Sequence, residues 1–377
     1  MASGVLTKAK IQKSDEFYTQ LTDIERELKN YKNHFKNKVV FCNCDDPEAS
    51  NFYYYFISNF DELCLKKLIA THFEIDKQSY MLEYEGGADV RGDKATVIKR
   101  AIKIGKKSKL KQNFEQGGQG TLFDTEPERS YSGDFRSPEC IELLKQSDIV
   151  VTNPPFSLFR EYIEQLVSYK KSFLIIGDLN AVSYKEIFGF IKDNKVWLGI
   201  DNGGTKWFEV PSHYEITTQS RIKIENGVKY FSKGSIMWFT NLDHVKRHEN
   251  LILYKNYNSD EYPKYDNYDA IEVSTYKEIP MDYDGVMGVP ITFVDKYNPE
   301  QFGIIGITKK LGFHLRTKIY PNQTQVDPNG KKSIVSKLND GAVLQLKKPP
   351  TNKTYYVVDG KYYIQVYARL LIKRKVK

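Results

Sequence analysis

The run Ile149-Val150-Val151-Thr152 is apolar, β-branched and unbroken, and it ends against Asn153-Pro154-Pro155-Phe156. A strand without polar alternation is covered on both faces, which is the habit of strands in a parallel sheet with helices above and below. Two prolines in succession hold φ at about −65° and carry no N–H, so the strand stops at Thr152 and the nearby carbonyls are withheld from ladder or helix. The corner is stiff and rich in acceptors. The Asn153 side-chain oxygen and the Pro154 carbonyl suit both hydrogens of a planar exocyclic amino group, with Phe156 stacking on the ring that bears it. A plainer reading stands beside this one, in which Asn153 only caps a helix over residues 157–166.

Further runs of the same kind occur at 38–44, 65–71 and 172–177, separated by stretches with helical spacing. Leu21, Ile24 and Leu28 mark one helix. Asp46 as N-cap with Pro47 in the first turn predicts another over 49–59. Strands alternating with helices predict an α/β fold whose ligands sit at the carboxyl ends of the strands. Residues 85–130, with Gly86-Gly87, many lysines and Gly117-Gly118-Gln119-Gly120, read as a partly flexible excursion at the sheet edge. Residues 197–210 and 230–241 alternate as hairpin strands that close the sheet. Beyond about residue 243 the texture turns to Tyr, Lys, Asn and Pro with short strands, which suggests a second domain.

Asn153-Pro154-Pro155-Phe156 resembles the catalytic motif of amino-methyltransferases that use S-adenosylmethionine. Asp15-Glu16-Phe17-Tyr18-Thr19-Gln20 looks like the N-terminal cofactor motif of adenine-specific DNA methyltransferases. Tyr131-Ser132-Gly133-Asp134-Phe135 looks like the motif whose Asp accepts the cofactor's adenine amino group while the next residue lines its ring. The motif order is similar to the gamma arrangement. With Cys42-Asn43-Cys44-Asp45-Asp46-Pro47 and Trp238-Phe239-Thr240-Asn241-Leu242, the pattern looks closest to EcoRI-type adenine methyltransferases over residues 13–245, and more loosely over 285–306.

The resemblance implies a Rossmann-like class I methyltransferase sheet with helices on both faces and a smaller C-terminal target-recognition domain. Its boundaries would be 1–35 for a cofactor-closing arm, 36–245 for the catalytic domain and 246–377 for DNA recognition. It implies Asn153, Pro154, Pro155 and Phe156 as the catalytic residues. Tyr18, Thr19, Asp45, Asp46, Asp134 and Phe135 would bind the cofactor, with Asp45 or Asp46 taking its ammonium. The usual cofactor turn is glycine-rich, whereas Asp45-Asp46-Pro47-Glu48-Ala49-Ser50 has no glycine, a change the EcoRI-type group shares. Either Asp46 is part of that site or it is a plain helix cap. Thr71, His72 and Glu74 stand open as the ribose contact. Trp207 and Phe208 either cover the target base or pack inward as core.

A net charge of +8 and 27 tyrosines suit a nucleic-acid partner, and the resemblance implies double-stranded DNA recognised at a short palindrome such as GAATTC. A cognate restriction endonuclease would act on the same site without a stable complex. RNA adenine, a protein glutamine amide, or DNA binding without catalysis are the rival readings. Cys42, Cys44, Cys64 and Cys140 lack C-x-x-C spacing and the six histidines are scattered, so no metal centre or disulfide framework is expected. The chain lacks an apolar leader and any stretch of transmembrane length, so a cytoplasmic protein with no membrane partner is expected.

Overall fold

The computed structural model describes residues 17–44, 46–73, 79–110, 133–210, 219–309 and 316–375. By packing, the chain divides into two units, Met1–Leu179 with Leu198–Leu242, and Asn180–Trp197 with Asp243–Lys377.

The first unit is organised by a mixed sheet. Its strands are β2 (Val39–Cys42), β3 (Lys67–His72), β4 (Tyr80–Tyr84), β5 (Lys106–Lys109), β6 (Ile149–Thr152), β7 (Ser172–Asp178) and, later in the chain, β12 (Ile236–Thr240), in the order β5-β4-β3-β2-β6-β7-β12. The four central strands are parallel, with Val40 opposite Leu68, Phe41 opposite Val150 and Val151 opposite Leu174. Both β2 and β6 are buried along their whole length, as unbroken apolar runs require. Val40, Cys42, Leu68, Ala70, Val151 and Leu174 share a core with the helices Leu21–Leu28, Asn51–Ser58 and Lys94–Ile104. On the other face the Phe159 ring lies on Gly177, where an added Cβ would come within 2.3 Å of it. That close approach seats the helix Phe159–Ser168 at the exit of the Asn153-Pro154-Pro155 corner. The chain turns one way from β2 into β3 and the other way from β6 into β7, so a crevice opens where these neighbours end.

Several expectations are corrected. The helix expected over 49–59 runs Asn51–Ser58 and is capped by Ser50, whose hydroxyl accepts from the Phe52 and Tyr53 N–H groups. Asp46 is not the cap; its Oδ1 accepts the Glu48 N–H in a separate turn. The helix expected from 157 begins as a single 3-10 turn, Phe156–Leu158, before Phe159–Ser168. Part of the excursion is regular structure: it holds the helix Lys94–Ile104 and β5, which pairs antiparallel with β4 just before it and so extends the sheet beyond β3, while residues 111–132 lie outside the described residues. Of the strands expected to close the sheet, β12 pairs with β7, and Gly199, just after β8 (Trp197–Leu198), bonds to the Trp238 carbonyl. The rest form another sheet, in which β9 (Phe208–Glu209) lies between β1 (Tyr18–Thr19) and β11 (Val228–Phe231), with β10 (Ile222–Glu225) outside. Alternation fixes that a segment has two faces but not which edge it joins. The β10–β11 hairpin turns through Asn226 and Gly227, both with positive φ, as a two-residue turn of the right-handed twist demands.

The second unit holds the helix Lys185–Lys192 and two antiparallel-dominated sheets, one of four and one of five strands. One contains a nearly buried pair, Arg369 Nη2 to Glu272 Oε1 at 2.7 Å, with the Tyr265 hydroxyl donating to the same carboxylate.

Candidate active site

Asn153 stands at the carboxyl end of β6 and is 6% exposed. Its Nδ2 donates to the Phe17 carbonyl at 2.5 Å. A carbonyl accepts only from the NH2 side of an amide, so this bond also sets which way the amide points. Its Oδ1 is left buried and without a hydrogen-bond partner. A buried acceptor in that condition costs about 1–3 kcal/mol unless a ligand supplies the donor. The Pro155 carbonyl is committed to the turn, accepting the Leu158 N–H at 3.0 Å. Pro154 is buried and Pro155 half-buried.

Beside the corner lies a cluster of rings. The half-buried Phe156 sits 5.7 Å from Phe17 and 6.2 Å, edge-on, from Phe208. Phe17 is in turn 5.8 Å from Phe208 and 5.7 Å from Phe231. The Lys233 Nζ stands 4.0 Å from the Phe156 ring centroid. Phe208 is fully buried and supports this cluster, which removes it as a surface for a substrate base. Trp207 points the other way along the strand, half-buried, with Lys223 Nζ 5.1 Å from its ring. The two therefore do not form one substrate contact.

The N-terminal strand joins both halves of the site. While the Phe17 carbonyl orients Asn153, the Thr19 carbonyl accepts from Asn51 Nδ2 at 2.7 Å, in the first turn of the helix that follows β2. Lys94 Nζ holds the other end of that amide, 2.7 Å from Asn51 Oδ1. Thr19 is buried and its Oγ1 lacks a partner; Tyr18 is half-buried and in register with Glu209.

After β2, Asp45 lies outside the described residues. Asp46 Oδ1 accepts from the Tyr80 hydroxyl at 3.3 Å and lies 3.7 Å from His72 Nδ1, at the end of β3. Burial and the Asp46 and Glu48 carboxylates push the Tyr80 hydroxyl far above its usual value, so it stays a donor. Of the ribose candidates, His72 is thus near Asp46, Thr71 is buried in β3, and Glu74 lies outside the described residues. Gly133, at φ +90°, is pressed on this strand end, for an added Cβ would lie 2.9 Å from the His72 carbonyl. It delivers Asp134 and Phe135 to the same region. Asp134 is bound by Arg136 through both oxygens, Nε to Oδ1 at 2.9 Å and Nη2 to Oδ2 at 2.7 Å. Oδ1 also accepts the Arg136 backbone N–H at 2.9 Å, so Oδ2, with its second lone pair, is the oxygen that can accept an amino group beside the guanidinium. Phe135 is buried edge-on against Tyr162, 4.9 Å away, whose hydroxyl reaches Asn43 at the end of β2.

The corner, the aromatic cluster, the N-terminal strand, Asp46 after β2 and Asp134 ahead of β6 thus gather where the strand order reverses. The family model described as "Adenine-specific methyltransferase EcoRI" matches residues 5–375. The chain belongs to this family. The Type II methyltransferase M.EcoRI of Escherichia coli is 50% identical over 311 residues, 81% of this chain and 89% of that protein. M.MgeORF184P of Mycoplasma genitalium is 42% identical over 79% of this chain and 84% of its own length. M.MpnI of Mycoplasma pneumoniae is 39% identical over the same shares, 79% and 84%. No solved structure matches.

For a member of the EcoRI methyltransferase family, the sequence motifs left four neighbours unremarked: Phe17, Asn51, Arg136 and Lys233. Phe17 was inside a quoted motif, and Arg136 follows one directly. Nothing local marks Asn51 or Lys233, which act across 32 and 77 residues of chain. Among the described residues no cluster of His, Cys, Asp and Glu could hold a metal, and no helix is long and apolar enough to cross a membrane.

Proposed function

We propose that this adenine-specific DNA methyltransferase transfers the methyl group of S-adenosylmethionine to N6 of an adenine rotated out of duplex DNA. The observation that carries the reading is Asn153, oriented by the Phe17 carbonyl with its buried Oδ1 unpartnered. That oxygen and the Pro154 carbonyl accept the two N6 hydrogens, which draws the nitrogen toward tetrahedral geometry and exposes its lone pair. N6 bonds to the methyl carbon and sheds a proton to water afterwards, once it has become acidic. No base of raised pKa is required.

S-adenosylmethionine supplies a methyl on a positively charged sulfur, which leaves as a neutral thioether without metal or acid. The residues present fit it. Asp46 offers a carboxylate beside His72, Thr19 offers an unpartnered hydroxyl, and Asp134 with Phe135 offers an acceptor next to a ring. Asp45 remains a candidate for the ammonium. The chain's contribution is placement, an effect that reaches about 7–11 kcal/mol when reactants are held in line. Extruding the adenine costs a few kcal/mol, and stacking on Phe156 offsets roughly 1–3 of these.

Residues 246–377 are assigned to reading the DNA sequence, and residues 1–35 to closing over the cofactor. A nuclease cutting the same sequence, held in no stable complex and acting with it in the cytoplasm, is the companion inferred for a relative of Type II methyltransferases. The test is transfer of labelled methyl from S-adenosylmethionine to duplex DNA, RNA and protein, with modified bases mapped by single-molecule sequencing. Labelling of duplex DNA at adenines within one motif is expected. Label in RNA or protein instead would overturn the assignment.

A further inference from the structure

We propose that Asn51 is a positioning residue for methyl transfer. With Lys94 it holds the N-terminal strand in the place from which the Phe17 carbonyl turns the Asn153 amide. This rests on the reading that Asn153 Oδ1 accepts from the target amino group.

The strand β1 lies at the edge of its sheet, and only Tyr18 and Thr19 pair with β9. A ladder of two residues is a weak hold, and an edge strand leaves carbonyls free on its other side. The Phe17 and Thr19 carbonyls stand two residues apart, so they face the same way along an extended chain. Each meets a side-chain amide rather than another strand. Asn153 Nδ2 donates to the first at 2.5 Å and Asn51 Nδ2 to the second at 2.7 Å. Asn153 follows β6, Asn51 opens the helix that follows β2, and β2 and β6 are parallel neighbours. The strand is thus pinned to the carboxyl ends of both.

The two amides are not equally fixed. Asn153 has the Phe17 carbonyl on its nitrogen and nothing on its oxygen. Asn51 is held at both ends. An ammonium can only donate, so Lys94 Nζ, 2.7 Å from Asn51 Oδ1, keeps the oxygen on its own side and points Nδ2 at the Thr19 carbonyl. Lys94 also donates to the Ala49 carbonyl, just ahead of the same helix, and it opens its own helix, Lys94–Ile104, behind the Asp93 cap. Support therefore runs from Lys94 to Asn51, to the strand, and then to Asn153. A strand that lifts takes the Phe17 carbonyl with it, and the Asn153 amide loses the partner that sets which side is oxygen. The acceptor is correct only while the strand is seated.

The test is single-turnover methyl transfer, at saturating cofactor and duplex carrying the mapped site, for Asn51→Ala and Asn51→Asp, each made in wild type and in Asn153→Ala. In wild type, Asn51→Ala is expected to lower the rate roughly fivefold to tenfold, the measure of one hydrogen bond. Asn51→Asp keeps the pairing with Lys94 and puts a carboxylate in a first helical turn, so it should melt no lower than Asn51→Ala. Having no N–H for the Thr19 carbonyl, it should lose at least as much rate. In Asn153→Ala, where no amide remains to be oriented, both substitutions should change the rate by less than about twofold, whereas a merely structural role would lower the two backgrounds alike. Wild-type rates in the Asn51 variants, or an equal loss in both backgrounds, would overturn the proposal. Asn153→Ala by itself separates the two readings. If it turns over within about tenfold of wild type, the acceptor role of Asn153 fails and takes this one with it. If it is slow while the Asn51 variants are normal, only the role of Asn51 falls.

Discussion

Replacing Asn153 by alanine should cost the enzyme its chemistry and almost none of its stability. Two opposed effects act on the fold. The Phe17 carbonyl loses the donor it holds at 2.5 Å, and a buried acceptor left unsatisfied costs about 1–3 kcal/mol. The same substitution removes Oδ1, which is buried without a partner and already bears a penalty of that order. The two nearly cancel. A residue of about 1 kcal/mol moves the melting temperature of a unit this size by about 2–4 °C. The reacting nitrogen, however, loses an acceptor aimed at it, and removing one preorganised polar contact of this kind lowers turnover by about 10²–10³. Thermal unfolding and single-turnover methyl transfer at saturating cofactor and DNA measure the two sides separately. Asn153→Asp provides the contrast. A carboxylate has no N–H for the Phe17 carbonyl, so two acceptors face each other and the melting temperature falls further than for alanine. A large drop in stability for Asn153→Ala would show a structural strut with a satisfied oxygen. Single-turnover rates within tenfold of wild type would remove Asn153 from the chemistry.

Ser50→Ala removes the cap of the helix Asn51–Ser58 and should lower stability by about 1 kcal/mol in urea unfolding. Asp46→Ala should leave unfolding nearly unchanged and weaken cofactor binding by calorimetry; equal affinity would return Asp46 to a turn residue. Phe208→Ala, made at a fully buried ring, should cost about 3–5 kcal/mol, whereas Trp207→Ala should change stability little. In the second unit, the hydrogen bond from His248 to Asp243 raises the imidazole above its usual 6.5. Its stabilisation is therefore complete below that value and is lost as pH rises through the raised one. With the imidazole 45% exposed, the change should stay under about 1 kcal/mol and vanish in His248→Gln.

Residues that act within a few positions of one another were legible in the chain. The β-branched run before Asn153 names a strand buried on both faces, and the two prolines name its end, since both follow from local sterics. The family resemblance then singles out the Asn153 corner and the segment at Asp134 as the candidate site. The helix start was misplaced because Asp46-Pro47 and Ser50 both carry capping chemistry, and only the fold shows which one meets free N–H groups.

What the sequence alone determined about this protein is its alternation of strands and helices, the stiff corner that ends β6, and its family. Those rest on short-range backbone restrictions and on order along the chain. Tertiary structure decided the rest. It bonded the Phe17 carbonyl to Asn153, across 136 residues, and so left the amide oxygen buried without a partner; it tied Thr19 to Asn51; and it set Lys233 over the ring of Phe156 while burying Phe208. No local pattern encodes such meetings, because each depends on which strand edge a distant segment finds and on which face its side chain then presents.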